Sequence, residues 1–278
     1  ELSSFPVTHS RCTSAPMNRN LSGAGRWLIV NSMTELNEWQ KQILSAKRVD
    51  LSHDVHAGIP RFPAFNPMTE RTVNTIEEHR FFAKEYTLAT PYGTHIDAPG
   101  HFAAGKRLVD AIGADELILP LFVLHLEDSV AQNPDHGVTV EDIEAFEAEH
   151  GEIPAGSFVA FSSNWHKRWD DPDAFVNHDD NGVQHTPGWT LDALKFLVEE
   201  RNVSAIGHET LDTDPGVVAA ETGFLYGELY VLEQNIYQVE VMTNLDQVPA
   251  TGAVIVVGPP KIQGAPSITS RVFALFNN

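Results

Sequence analysis

Short apolar runs alternate with polar, turn-rich segments along most of this chain, and that alternation limits its fold more than any other feature. Strands are expected at 48–51, 85–89, 117–126, 158–161, 203–207, 236–242, 253–257 and 272–276, where β-branched and aromatic residues cluster between Gly, Pro, Asn and Asp. The run 117–126 is the most apolar and reads as a buried strand. Three stretches carry a helical period instead. Residues 31–45 place Met33, Leu36, Trp39 and Ile43 along one side. Residues 139–150 open with Thr139 and Asp142 at capping-box spacing. Residues 190–201 turn Leu191, Leu194, Leu197 and Val198 inward. Many strands among few helices predict an α/β or α+β domain with a mixed sheet. No internal repeat or linker interrupts it after residue 25. Residues 1–25 have no hydrophobic period and read as an extended arm before one domain, 26–278.

Composition removes several function classes. The net charge is −20 with 18 Lys and Arg, so a nucleic-acid surface is not expected. No run of about 18 apolar residues is present, so neither is a membrane span. Cys12 is the single cysteine. It excludes an internal disulfide and a thiolate cluster, and with no signal-peptide pattern at the start it points to the cytoplasm. Any transition-metal site must therefore be built from His, Asp and Glu. Signatures of serine hydrolases, P-loops and dinucleotide enzymes are missing from the sequence.

The stretch Gly93-Thr94-His95-Ile96-Asp97-Ala98-Pro99-Gly100-His101-Phe102 carries the chemistry. On an extended backbone His95 and Asp97 point to one side, and an imidazole and a carboxylate converging there suit a divalent cation. His101, four residues past Asp97, can serve the same centre as a general base towards water.

Gly-Thr-His-x-Asp-x-Pro-x-His-Phe resembles the signature of the cyclase-like metal-dependent hydrolases, the family that includes kynurenine formamidase, isatin hydrolase and trans-dienelactone hydrolase. Three further segments carry the likeness: Asp50-Leu51-Ser52-His53 followed by Pro60 and Pro63, Pro187-Gly188, and Glu240-Val241-Met242-Thr243-Asn244-Leu245 followed by Pro249. Together they cover roughly residues 48–278. The resemblance implies a swivelling β/β/α fold, a homo-oligomer (dimer or tetramer), and metal-assisted hydrolysis of a small lactone, cyclic amide or formamide. It assigns His95, Asp97 and Glu240 as metal ligands and His101 as the catalytic histidine.

Two positions depart from the family pattern. The histidine expected four residues before His95 is Pro91, and the later histidine is Glu228. The site is therefore poorer in nitrogen and richer in oxygen, which favours Mn²⁺ over Zn²⁺ and one metal over two. Glu228 and His208 are the candidates to complete the shell. His208 is expected in a loop after strand 203–207, as a replacement ligand, a substrate contact, or a histidine held by the backbone at a turn. Trp165-His166-Lys167-Arg168-Trp169 reads either as a substrate pocket or as a loop packed on the core. His53, His56 and Asp54 form a possible second cluster, and Tyr92 either lines the pocket or packs. The rival to an enzyme is a non-catalytic ligand-binding member with a degraded site. Pro91 supports that rival, and the retained His101 argues against it.

Overall fold

The computed structural model describes residues 36–277. The expected arm 1–25, Cys12 and Met33 lie outside them. Residues 42–278 group as one unit. Of the segment before it, residues 36–41 are described, and they open helix α1 (Glu38–Ser45). There the Asn37 and Gln40 side chains each accept from the other's backbone N–H, at 2.9 and 3.0 Å, which satisfies donors that a helix start leaves free.

The first strands are β1 (Lys47–Asp50), β2 (Thr69–Asn74), β3 (Ala83–Thr87), β4 (His95–Asp97) and β5 (Ile118–His125), with the short helix α2 (Ile76–His79) between β2 and β3. Then come α3 (Glu127–Gln132), β6 (Gly137–Val138), α4 (Val140–His150), β7 (Phe158–Ser162), α5 (Pro172–Val176), β8 (Gly188–Trp189) and α6 (Leu191–Lys195). The chain continues through β9 (Ala205–His208), α7 (Gly216–Thr222), α8 (Tyr226–Glu233), β10 (Tyr237–Glu240), β11 (Ala253–Gly258), β12 (Ser267–Thr269) and β13 (Arg271–Phe276).

Nine strands form one sheet in the order β1-β13-β11-β5-β7-β9-β10-β4-β12. The centre, β5-β7-β9-β10, is parallel, and both flanks are antiparallel. This is the mixed sheet expected of the cyclase-like fold. Alternation sorts its side chains to two faces. Val49, Ile96, Leu121, Phe158, Ala205, Tyr237, Val239, Ile255 and Val272 belong to one apolar cluster, so the sheet curls around a single interior. Val159, Phe161 and Ile206 face a second cluster built with Ile143, Leu194 and Leu197 of the helical layer. Each fully buried Leu, Ile or Phe contributes roughly 1.5–3 kcal/mol.

Helix α4 matches its sequence signal. Thr139 Oγ1 accepts from Asp142 N at 3.2 Å, and Asp142 Oδ2 accepts from Thr139 N at 2.8 Å. Three expectations change. The apolar run at 117–126 forms β5, but Ile118 is 58% exposed because the first half of the strand has a solvated outer face. The helix at 190–201 buries Leu194 and Leu197 but leaves Leu191 at its exposed first position, and it widens to a π-turn over Phe196–Glu200. His208 is not in a loop: it ends β9 and is fully buried.

Candidate metal centre

The register of β4 against β10 builds the site. Glu240 pairs with His95, and Gln238 with Asp97. Ile96 and Val239, the residues between them, turn into the interior cluster. Alternation therefore sends His95, Asp97, Gln238 and Glu240 to the opposite face together. Strand β9 runs parallel along the other edge of β10 and ends with His208 on that same face, two residues after Ile206, which packs toward the helical layer. All five side chains are buried.

Local geometry sets the orientation of each ring. Gly93 has φ +69°, which strains any L side chain, and a Cβ there would press on Val55 Cγ2 at 3.0 Å. The resulting turn aims the Gly93 carbonyl at His95 Nδ1, 2.7 Å away. The ring donates from Nδ1 and keeps the Nε2 lone pair free in its neutral form. Nε2 lies 3.4 Å from Asp97 Oδ2 and 3.3 Å from Glu240 Oε2. His208 Nε2 sits 3.3 Å from Glu240 Oε1. The Gln238 amide donates to Glu240 Oε1 at 2.9 Å and to Asp97 Oδ2 at 3.3 Å. Its carbonyl accepts from Thr213 Oγ1 at 2.8 Å.

Val241 follows Glu240 at φ +56°, a conformation rare for a β-branched residue. Its carbonyl accepts from Thr94 Oγ1 at 2.6 Å, and Thr94 Oγ1 in turn accepts from His53 N at 3.0 Å. Thr94 thus ties the segment carrying His95 and Asp97 to the turn that ends Glu240's strand.

From outside the sheet come His101 and Glu228. His101 ends a 3₁₀ turn over Pro99–His101, partly exposed, with Nε2 3.8 Å from Asp97 Oδ1. Glu228 is buried in the first turn of α8. Asp214 holds that turn by accepting from Gly227 N at 2.8 Å and Glu228 N at 3.0 Å. A cavity of about 280 Å³ opens over the cluster, walled by Phe62, Phe65, Pro91, His95, His101, Phe102, Leu211, Asp212, Leu225, Glu228 and Glu240.

Charge is crowded here. Burial opposes the imidazolium of His95, but Asp97 and Glu240 outweigh it and hold its pKa well above the usual value. Burial also opposes ionisation of Glu240, yet His208 and His95 pull its pKa down to about 2. Glu228 is pushed well up by burial and by the charges of Glu240, Asp97, Asp212 and Asp214. Asp212 is half-buried at the cavity, and desolvation together with Glu240 and Asp214 raises its carboxyl to about 7. Such a cluster calls for a cation.

The donor set fits one. Ligand atoms of His95, Asp97 and Glu240 lie within 4.8 Å of one another, as do those of Asp97, His101 and Glu228. Asp97 Oδ1 is buried with no hydrogen-bond partner, which is costly unless a cation takes it. His208 belongs to neither set. Both its ring nitrogens lack a hydrogen-bond partner, and it stands behind Glu240.

Residues 49–215 match the Cyclase family model, described as "Putative cyclase". The chain belongs to the cyclase family. An isatin hydrolase of Roseibium aggregatum is 33% identical over 225 residues, which are 78% of this chain and 84% of that protein. Among solved structures, isatin hydrolase A from Labrenzia aggregata bound to benzyl benzoate superposes with TM-score 0.81 at 29% identity, covering 88% of this chain and 100% of that one. An isatin hydrolase bound to the product analogue thioisatinate gives 0.80 at 28% identity, covering 89% and 99%.

In this cyclase-family chain the expected residues divide clearly. His95, Asp97, His101, Glu228 and Glu240 meet around one cavity, and Pro91, at the position where the resemblance implied histidine, also lines it. The Trp165–Trp169 segment is absent from that cavity's walls. Trp165 is buried and donates to Phe175 O at 2.8 Å, and Arg168 covers its ring at 3.8 Å. Glu209 serves the same segment: it accepts from Ser163 N, Ser163 Oγ and Trp165 N, and pairs with His166 Nδ1 at 2.7 Å. Tyr92 packs, its hydroxyl accepting from Met68 N at 3.0 Å. His53 stacks on Trp169 at 3.9 Å. Sequence reasoning missed Gln238, Thr213 and Asp212. Gln238 had a readable signal, since it sits two residues before Glu240 on a strand and must share its face. Thr213 and Asp212 had none, because only the fold returns their loop to β10.

Proposed function

We propose that this chain is a metal-dependent hydrolase that adds water to the carbonyl of a small lactone, cyclic amide or formamide. The observation that carries this reading is the buried His95–Asp97–Glu240 cluster, with Asp97 Oδ1 unpartnered and His101 at the cavity wall beside it. The likeness to isatin hydrolase supports the cyclic amide within that set.

His95, Asp97 and Glu240 would hold the divalent metal, with Glu228 in reach of Asp97 and His101. When bound, the metal supplies Lewis-acid polarisation and a lowered water pKa. Mn²⁺ is preferred to Zn²⁺ because oxygen donors outnumber nitrogen. Gly93 O holds the His95 ring in the tautomer that presents Nε2. Gln238 holds the Asp97 and Glu240 carboxylates in place. His101 Nε2 takes the proton of the attacking water and returns it to the leaving nitrogen or oxygen. The aromatic wall keeps bulk water from the reacting carbonyl. His208 supports Glu240 electrostatically. The working protein is a cytoplasmic homo-oligomer whose hydrolase domain starts near residue 26.

The test is a pair of measurements on His101→Ala. Elemental analysis should find the wild-type metal content, while turnover of lactones, isatin-like rings and N-formyl amines falls by about 10²–10⁴. Wild-type turnover in that variant would remove His101 from the mechanism. A non-catalytic binding member is the second reading, favoured by Pro91 at the cavity. Loaded protein inert towards the whole panel would establish it.

A further inference from the structure

We infer that the cavity selects uncharged or cationic substrates with an apolar ring body, and rejects those carrying a carboxylate away from the reacting carbonyl. The inference rests on the hydrolase reading for the cavity's purpose, but its physical basis is the wall itself.

That wall has two halves. The floor carries His95 and His101 with the carboxyls of Asp212, Glu228 and Glu240. The roof is apolar, formed by Phe62, Phe65, Phe102, Leu211 and Leu225. Among the described residues, no Lys or Arg lines it. Phe102 extends outward through Phe224, 6.0 Å away, to Tyr226, 5.2 Å further, so the apolar surface continues past the mouth. Phe224 and Tyr226 are 43% and 51% exposed.

Of the cations near this wall in sequence, Lys106 is exposed and does not line it, and Arg61 and Arg107 are already engaged. Arg61 donates to the carbonyls of Phe65 and Ile59, at 3.1 and 3.4 Å. Arg107 donates to Glu116 Oε1 at 2.6 Å and to Asn235 O at 2.9 Å. A carboxylate held against the roof would lose part of its water, Phe62 itself being 52% exposed, and gain no cationic partner from the lining side chains. A divalent metal at His95, Asp97 and Glu240 would offset two negative charges, and Asp212 and Glu228 would remain. In either protonation state those two offer no positive charge. The roof instead suits a planar ring, which buries its faces against Phe62, Phe65 and Phe102 at no polar cost. A neutral amide or lactone enters readily.

The probes are indolin-2-one, its 5-carboxylate and its 5-aminomethyl derivative, titrated calorimetrically into the full chain, both metal-free and Mn²⁺-loaded. Metal-free protein removes turnover from the measurement. The neutral and cationic probes should bind, with the carboxylate at least about tenfold weaker in both states. Leu225→Lys places an ammonium on the roof and should narrow that gap, with circular dichroism confirming the fold. Equal or tighter binding of the carboxylate by the wild type overturns the inference. So does a folded Leu225→Lys protein with an unchanged gap, or no binding of any probe at millimolar concentration. Failure of the hydrolase reading is distinguishable, because the binding order can hold while loaded protein turns nothing over.

Discussion

Gln238→Met tests how the site holds two carboxylates side by side. Gln238 is fully buried, and its amide nitrogen bridges Asp97 and Glu240. Methionine has nearly the same volume and shape, so the packing cost is small. What is lost is the donor to the two carboxylates, together with the acceptor for Thr213 Oγ1, whose hydroxyl keeps Glu240 Oε1 at 3.2 Å. Hydrogen bonds to charged groups contribute about 1.5–3 kcal/mol each. The longer bond, 3.3 Å to Asp97, falls at the weak end, and Glu240 keeps Thr213 and His95 as neighbours. The net loss in metal-free protein is therefore about 2–4 kcal/mol. For a folded unit of this size, that lowers Tm by roughly 5–15 °C. Differential scanning calorimetry after chelation measures it directly. Gln238→Glu is the sharper companion, since it replaces the donor with another carboxylate in the same space. It should be destabilised more at pH 8 than at pH 5, because protonation relieves the repulsion. A metal-free Gln238→Met protein melting within about 1 °C of wild type would refute the bridging role.

Two further predictions follow from the same region. His53 is held at about 4, chiefly by burial and then by His166, against a raising contribution from the Met242 backbone. Its folded pKa lies below the unfolded value of 6.5, so the unfolded chain takes up the proton first. Its stability contribution is complete above pH 6.5 and is lost as pH falls to about 4, at most about 3 kcal/mol. His53→Phe keeps the stack on Trp169 and should flatten that part of a chemical-denaturation pH profile; an unchanged slope would assign it to other groups. At Val241, both Val241→Ala and Val241→Gly empty buried volume, glycine by one carbon more, but only glycine is at ease at φ +56°. The glycine variant should be the more stable by about 1 kcal/mol, the reverse of the usual order, and equal melting temperatures would count against strain there.

The parts of the fold legible in the sequence were those with local causes. The Thr139–Asp142 cap fixed the start of α4 from two side chains and their own backbone. The apolar runs at 158–161 and 253–257 fall within β7 and β11 because aromatic and β-branched residues favour a pleated, buried surface. The short strands β6, β8 and β12 were not anticipated. β8 is two residues long and exists because β6 lies beside it, which no local propensity reports. Leu191 shows the opposite limit: its helical spacing is correct, yet the helix start where it sits is left uncovered.

The site divides along the same line. His95 and Asp97 were readable because a two-residue spacing on a strand is enough to bring them to one face. Glu240 is separated from them by more than 140 positions, and it meets His95 through the antiparallel register of β4 and β10. That register also explains Gln238, whose polarity on a buried strand looks like an error until Asp97 is seen opposite. Pro91 takes its meaning from the same geometry. It removes a nitrogen donor from the cavity wall, while Glu228 arrives there from α8, its backbone N–H held by Asp214. The carboxylates of Glu228 and Glu240 that line the cavity are therefore supplied by segments distant from the motif. The centre's charge balance is set by how α8 brings Glu228 over the sheet, and not by the motif alone.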